Sequence, residues 1–519
     1  MSRTKQSLAP AQFWALALSC VAVALVIAGM VALYTALPNI ASDTGATQTQ
    51  LTWITDGYTL ALACLVLPGG ALGDRYGRRR VMVGGLFVFA AASSLPLFIE
   101  GPAWLIAARA LTGVGAALVM PSTLSLLTAG FPEQRRGFAI GVWAAAVASG
   151  AVVGLLGTGL LLANWSWLSI PAAMAIAGVV LAIAGCTVPE SVDESRPAFD
   201  LWGALLSATA IGLIVVAAAE VPRVGWGDPI VIAAIVGGIG ASATFVAVEL
   251  RVDQPLLDMR LFTDRGFAGG AFAVTLQFLV VFGVFMLIVQ YLQLILGYEP
   301  FAAAIALSPI MIPMLPISPI APWLAERLGL RAIICAGMGV TVVGMFGLAR
   351  LTVDSAYIDL LWPLMVLGLG LALSATPATA AIVAGVPEHK HGVAAAVNDA
   401  TREVGAALGI AVAGSVLAAG YTERIAAVTA KLPEQLRGPV SDSLAAALGV
   451  AESIGPAAQP VADQAKEAFV HGARQAATTL GFVTLIAMVA AAVWTPGRRR
   501  PEPEAVAAPA EPERVGGSE

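Results

Sequence analysis

Three ionisable residues fall within five positions of one apolar segment, Asn398-Asp399-Ala400-Thr401-Arg402-Glu403-Val404-Gly405. On a helix, Asp399 and Glu403 share a face one turn apart, and Asp399 can pair with Arg402. A charge inside a membrane span costs ~2.5–3.5 kcal/mol, so this group is expected to face protein or water. Two readings stay open: a self-neutralised cluster at a wide vestibule, or a cavity-facing acid that binds a cation or takes a proton. Arg109 sits in a second apolar segment, close enough to its end that snorkelling is an alternative to a buried partner. The start of another segment, Trp53-Ile54-Thr55-Asp56-Gly57-Tyr58, places Asp56 at comparable depth. An acid beside an arginine is held ionised, and can take a proton once the pair separates. Trp53, Tyr58, Phe278, Phe282 and Phe285 are candidate apolar and cation–π contacts for a bound substrate, beside Asn398, Asp399 and Glu403. No catalytic set stands out. His389, His391 and His471 lack metal-ligand spacing and no Walker loop is present, so neither a metal, a cofactor nor ATP-driven pumping is expected.

These residues need elements to hold them, and the composition says which. With 58% hydrophobic residues, 12% charged and a mean hydropathy of +0.84 over 519 residues, too little polar surface exists to solvate a globule. The apolar residues come in blocks of about twenty, enough to cross ~30 Å of hydrocarbon. Fourteen spans are predicted: 14–37, 51–71, 80–99, 104–129, 138–162, 167–187, 201–220, 229–249, 268–296, 302–325, 330–349, 359–384, 393–419 and 475–495. The first reads as a span, being too long for a signal peptide. Arg3, Lys5, Arg75, Arg78 to Arg80, Arg135, Arg136, Arg196, Arg251, Arg260, Arg265, Arg327, Arg331, Lys390 and Arg498 to Arg500 fall on one side. The opposite short loops hold only Arg223 and Arg350. The bias puts both termini in the cytoplasm. Four cysteines (Cys20, Cys64, Cys186, Cys335) lie in apolar blocks without paired spacing and read as small hydrophobes.

The chain also repeats itself. Gly113, Gly115, Gly130, Glu133 and Gly137 return 255 positions later as Gly368, Gly370, Gly385, Glu388 and Gly392. Duplicated sets of membrane helices are how transporters build halves that rock about a central site. The expected division is 1–13 as an N-terminal segment, 14–187 as one six-helix bundle and 188–267 as two inserted helices with linkers. A second bundle then takes 268–495, with an outer loop 420–473 that is either a small helical cap or a flexible loop, and 496–519 forms a disordered tail. Gly150 and Gly154, mirrored by Gly405 and Gly409, are expected to let two helices meet across the halves. Five prolines (Pro309, Pro313, Pro316, Pro319, Pro322) must kink the tenth span, which is expected to line a cavity.

The loop Gly70-Ala71-Leu72-Gly73-Asp74-Arg75-Tyr76-Gly77-Arg78-Arg79-Arg80, echoed at Glu326-Arg327-Leu328-Gly329, resembles the signature loop of the major facilitator superfamily. Its acid can satisfy donors at a neighbouring helix N-terminus. Together with the Arg109 motif, the fourteen spans and the long last outer loop, it makes the chain similar to that superfamily's drug:proton antiporters. The resemblance implies an all-α fold of two six-helix bundles plus two extra central helices. It implies a conformational latch at Gly70, Asp74, Arg75, Gly77, Arg78, Arg79, Glu326 and Arg327, and proton coupling through Asp56, Arg109 and Asp399. It also implies export of hydrophobic or amphipathic, often cationic, compounds across a bacterial inner membrane, driven by the proton gradient, by a protein expected to act as a monomer. Two departures stand out: the family's first-span acid is replaced at Gly29 or Met30, and the fifth span lacks the family's proline in Gly154-Leu155-Leu156-Gly157-Thr158-Gly159. A dedicated exporter of one metabolite or lipid-like product, and a non-transporting receptor or scaffold, are the alternatives.

Overall fold

The computed structural model describes residues 10–192 and 199–497. The expected disordered tail from 498 onward, and the basic residues Arg3, Lys5, Arg196 and Arg498 to Arg500, lie outside the described residues. In chain order the first helices are α1 (Pro10–Val31), α2 (Leu37–Thr44), α3 (Gln48–Tyr76), α4 (Arg78–Ser94), α5 (Pro102–Gly130), α6 (Glu133–Asn164) and α7 (Ser169–Gly185). Two more follow, α8 (Leu201–Val224) and α9 (Pro229–Glu249), and then α10 (Arg265–Gln290). The rest are α11 (Pro300–Leu307), α12 (Met311–Ile317), α13 (Ala321–Leu328), α14 (Leu330–Leu348), α15 (Tyr357–Ala384), α16 (His391–Thr429), α17 (Glu434–Asp442), α18 (Leu444–Ile454) and α19 (Gln459–Trp494).

Among the described residues, 13 helices are long and apolar enough to cross a membrane. The sixth expected span, 167–187, is α7, which is apolar but only 17 residues long. The tenth span is one of the 13 by length, yet its prolines divide it. Short helices α11, α12 and α13 replace a continuous rod, because each proline removes a backbone donor and crowds the preceding turn. The prolines do not simply line a cavity. Pro319 and Pro322 pack on α6, where a Cβ on Gly141 would lie 2.5 Å from Pro319 Cα and one on Gly137 2.8 Å from Pro322 Cβ.

Glycines at the repeated positions perform the same task twice. A Cβ on Gly113 would stand 2.3 Å from the Tyr58 carbonyl of α3, and one on Gly115 2.5 Å from Phe89 N of α4. Their duplicates do likewise: Gly368 against the Ile310 carbonyl (2.0 Å) and Gly370 against Thr341 of α14 (2.4 Å). Only a missing side chain permits such helix contact. The same symmetry corrects one expectation. Gly150 and Gly154 of α6 pack on Ala24 and Ala28 of α1, while Gly405 and Gly409 of α16 pack on Thr275 and Leu279 of α10. They seal the fifth helix of each repeat to the first of the same repeat, not the two halves to each other.

Helices α1 and α3 to α7 pack chiefly among themselves, as do α10 to α16 with α19. The inserted pair α8 and α9 packs together, with α8 touching both α3 and α16. Helix α16 is the principal bridge, lying against α10 and α19 on one side and α3, α5 and α8 on the other. Beyond the expected span it continues to Thr429, and α19 starts early at Gln459. The connection between them is a helical cap. Val440, Leu444 and Ala447 are buried in it, and the Tyr421 hydroxyl donates to the Val440 carbonyl at 2.9 Å.

Candidate functional site

At the face where α3 turns into α4, here termed the basic face, Gly77 adopts φ 106°. That backbone, which only glycine tolerates cheaply, lets the chain reverse within one residue. The reversal sets Asp74 and Arg78 side by side, and both are buried. Arg78 donates to Asp74 Oδ1 from Nε (3.0 Å) and Nη2 (2.8 Å). Asp74 then reaches across to the start of α16, accepting from Gly392 N (2.9 Å) and Val393 N (3.0 Å). These are donors a helix N-terminus leaves unsatisfied, and the helix dipole favours the negative charge. Arg78 Nη2 closes the loop by donating to the carbonyls of Glu388 (2.9 Å) and His389 (3.1 Å). A Cβ on Gly392 would lie 2.4 Å from Asp74 Oδ1, and one on Gly70 2.5 Å from Ala396 Cβ, so both glycines permit the contact. An ion pair of Arg136 with Glu388 joins the halves nearby.

The other latch residues sit differently. Arg79 docks on its own side, its amide donating to Glu190 Oε1 at 3.0 Å, and Arg75 lies over the Tyr76 ring. Glu326 and Arg327, expected to repeat the latch, are exposed, with Arg327 stacked 4.0 Å over Trp323 of its own helix. Among the described residues, neither Glu326 nor Arg327 makes a hydrogen bond or ion pair across the halves, although Pro322 at the start of the same helix packs on Gly137 of α6.

Arg109 is 4% exposed, so snorkelling is set aside. Its guanidinium is held by backbone carbonyls. Nε donates to the Ile54 carbonyl (3.0 Å) and Nη2 to the Gly29 carbonyl (2.9 Å), with the guanidinium 4.5 Å above the Tyr58 ring. Gly29 is a position where the sequence lacks an acid. A Cβ there would meet Met174 Cε at 2.9 Å and Phe89 Cζ and the Tyr58 hydroxyl at 3.3 Å, so a side chain at this position would have to displace Met174. The backbone carbonyl takes the acid's place as acceptor. Asp56 is half-buried and accepts from the Thr55 hydroxyl at 3.2 Å. Tyr58 is corrected as a substrate contact: it is 0% exposed and its hydroxyl donates to the Val26 carbonyl at 2.7 Å. Trp53, by contrast, is exposed.

The cluster on α16 faces protein, as expected. Asp399 is 0% exposed, and Asn398, Arg402 and Glu403 are buried with it. Arg402 Nη1 lies 3.6 Å from Asp399 Oδ1. The Asn398 side-chain amide donates to the same Asp399 oxygen at 3.2 Å and accepts from Thr379 at 2.8 Å. The sequence did not single out Trp143. Its ring, on α6, stands 5.5 Å from the Arg402 guanidinium, which lies 4.4 Å over Phe278 of α10. The Arg402 cation therefore touches an aromatic ring from each half. Phe278 in turn stacks on Phe282, centroids 6.1 Å apart, and Phe285 is half-buried on the same helix. Trp143 is itself held, its Nε1 donating to Thr123 Oγ1 at 3.0 Å. Among the described residues, Asp399 Oδ2 and Arg402 Nε are buried and have no hydrogen-bond partner.

Comparison with known proteins places this geometry. A profile of the Major Facilitator Superfamily matches residues 19–410. The chain is 32% identical over 468 residues to the methyl viologen resistance protein SmvA of Salmonella typhimurium, covering 89% of this chain and 93% of that one. It is 33% identical over 488 residues to the multidrug efflux pump LfrA of Mycolicibacterium smegmatis, covering 93% and 96%. The crystal structure of the human organic anion transporter MFSD10 superposes with a TM-score of 0.60 at 14% identity, covering 93% of this chain and all of that one, which is a likeness of fold.

Proposed function

Since the chain belongs to the Major Facilitator Superfamily, and its relatives include drug-resistance and efflux proteins, we propose that it exports amphipathic, cationic small molecules in exchange for protons, by alternating access. One observation carries the cationic preference. The guanidinium of Arg402 rests against Trp143 and Phe278 with a carboxylate 3.6 Å away. Aromatic faces plus a buried acid are what an organic cation needs once stripped of water. Arg402 is a resident stand-in, and a substrate cation would take its place beside Asp399 and Glu403. Methyl viologen, a flat aromatic dication, has the matching chemistry.

Proton coupling is assigned to Asp399 and Asp56, with Arg109 as a positioning residue that ties α5 to α1 and α3. Binding of a cation and binding of a proton at Asp399 would be exclusive, because either satisfies the same unpartnered oxygen. By the positive-inside bias the basic face is cytoplasmic, so this structure is latched on the inner side. The protein acts as a monomer in a bacterial cell membrane, with the small molecule and protons as its partners. A potential of 100 mV supplies ~2.3 kcal/mol per charge moved, which is tens-fold accumulation before any pH gradient. The experiment is methyl viologen and ethidium efflux from cells carrying wild type, Asp399→Asn, Glu403→Gln or Asp56→Asn. Asp399→Asn should abolish cation efflux, at least tenfold in rate; wild-type rates in all three variants would refute the charge mechanism.

A further inference from the structure

Two carboxyl groups that no step above uses meet at the basic-face end of the inserted helix pair. Asp200 caps α8, its Oδ1 accepting from Gly203 N at 2.9 Å. Glu249 ends α9, is 3% exposed, and its Oε2 accepts from Leu257 N at 2.9 Å. Each acid thus has its outer oxygen fixed by a backbone amide. The inner oxygens, Asp200 Oδ2 and Glu249 Oε1, are buried and find no donor. They flank a single point beside Gly203. Gly203 marks how closely: a Cβ there would lie 2.1 Å from Glu249 Oε1 and 2.6 Å from Asp200 Oδ2. Two ionised carboxylates cannot hydrogen-bond one another, and two adjacent buried negative charges repel strongly. One proton between the inner oxygens resolves both problems.

We propose that Asp200 and Glu249 form a proton-binding site, separate from the central charges, that holds one shared proton and fastens the stretch 250–258 to the start of α8. The stretch it fastens matters. Asp200 lines a cavity of about 230 Å³ on the basic face, open to the same solution, together with Asp74, Arg75, Asp253, Asp258, His389 and Lys390. Those charged groups line the cavity beside Asp200 from α3, from the stretch 250–258 and from the turn before α16. Loss of the shared proton leaves two like charges in contact and drives Glu249, with Leu257, away from α8 beside the Asp74 latch. The inserted helices then do more than fill space between two bundles.

The test uses purified full-length protein in detergent, with thermal unfolding followed from acid to alkaline pH. A proton bound in the folded state and not in the unfolded one contributes stability that is present at low pH and lost as pH rises. In Glu249→Gln, the amide donates to Asp200 permanently and cannot titrate. Wild-type Tm should therefore fall below that of Glu249→Gln as pH rises above the ordinary carboxyl range, the gap widening by about 1 °C per pH unit until the folded pair has released its proton. The difference between the two proteins isolates this pair from Asp399 and Glu403, which both retain. Infrared spectra should carry a protonated-carboxyl C=O band in wild type that Glu249→Gln lacks. Should Glu249→Gln not fold, Asp200→Asn makes the same prediction. Parallel Tm curves, or an unchanged carboxyl band, would overturn the proposal. So would a wild-type Tm raised at fixed pH by added Na⁺ or Ca²⁺ but not in the variant, since a metal cation would then be the ligand.

Discussion

The turn Gly70–Arg80 and its duplicate ending at Gly329 share a backbone and little else. Gly77 and Gly329 have φ of 106° and 95°, both cap the helix that follows, and each is preceded by an acid, an arginine and a bulky residue. Yet Asp74 is buried against the N-terminus of α16, whereas Glu326 stands in solvent. The difference begins in what lies opposite. Gly392 leaves a gap that Asp74 fills, and Arg78 finds two free carbonyls before α16. The second loop has Leu330 where the first has Arg78, and Arg327 stacks on Trp323 of its own helix as Arg75 does on Tyr76. Duplication copies a turn, but a cross-half contact needs complementary residues on both partners.

The comparison is broken most severely at the acids. Asp74→Asn removes one member of a buried charge pair and leaves Arg78 uncompensated, a loss of about 3–5 kcal/mol in such settings. Transport in proteoliposomes is predicted to fall at least tenfold, while Glu326→Gln stays within about twofold of wild type. Equal losses would mean that the exposed loop latches too, in a state other than this one. The glycines give an intermediate effect that sharpens the backbone side of the comparison. Alanine at either Gly77 or Gly329 is strained by about 1–3 kcal/mol. Gly77→Ala should lower Tm further, because its Cβ would sit 2.7 Å from the Glu190 carboxyl carbon. The smallest effect is expected for Arg136→Gln. Its partner Glu388 is 69% exposed, so the ion pair contributes under about 1 kcal/mol and fades with salt. A transport rate changed by less than about twofold, with the gap closing in 0.5 M salt, is the predicted reading.

Reading the sequence located the charged residues well and their partners poorly. Asp399, Arg402 and Glu403 were expected to share one region, because helical spacing alone sets contacts three and four residues apart. For Arg109 the cost of a charge in lipid predicts protein or water around it, with snorkelling as the alternative. Its partners were misjudged, since backbone carbonyls at Gly29 and Ile54 carry no side-chain signature. Tyr58 was taken for a substrate contact on aromatic character, and burial turned it into a platform for Arg109. Trp143 could have been noticed as a large aromatic deep in the fifth span. Nothing in its neighbourhood of alanines pointed to Arg402, more than 250 positions away.

Span number, the repeat, the kinked tenth helix and the basic bias follow from the order of residues, because hydropathy, proline chemistry and loop charge act over at most a few turns of chain. Which acid latches, which arginine meets rings from both halves, and that Asp200 lies beside Glu249 emerged with the packed bundle alone. Those contacts join segments tens to hundreds of residues apart, and their energies depend on burial, distance and the gaps that glycines leave, none of which is a property of a residue's neighbours along the chain.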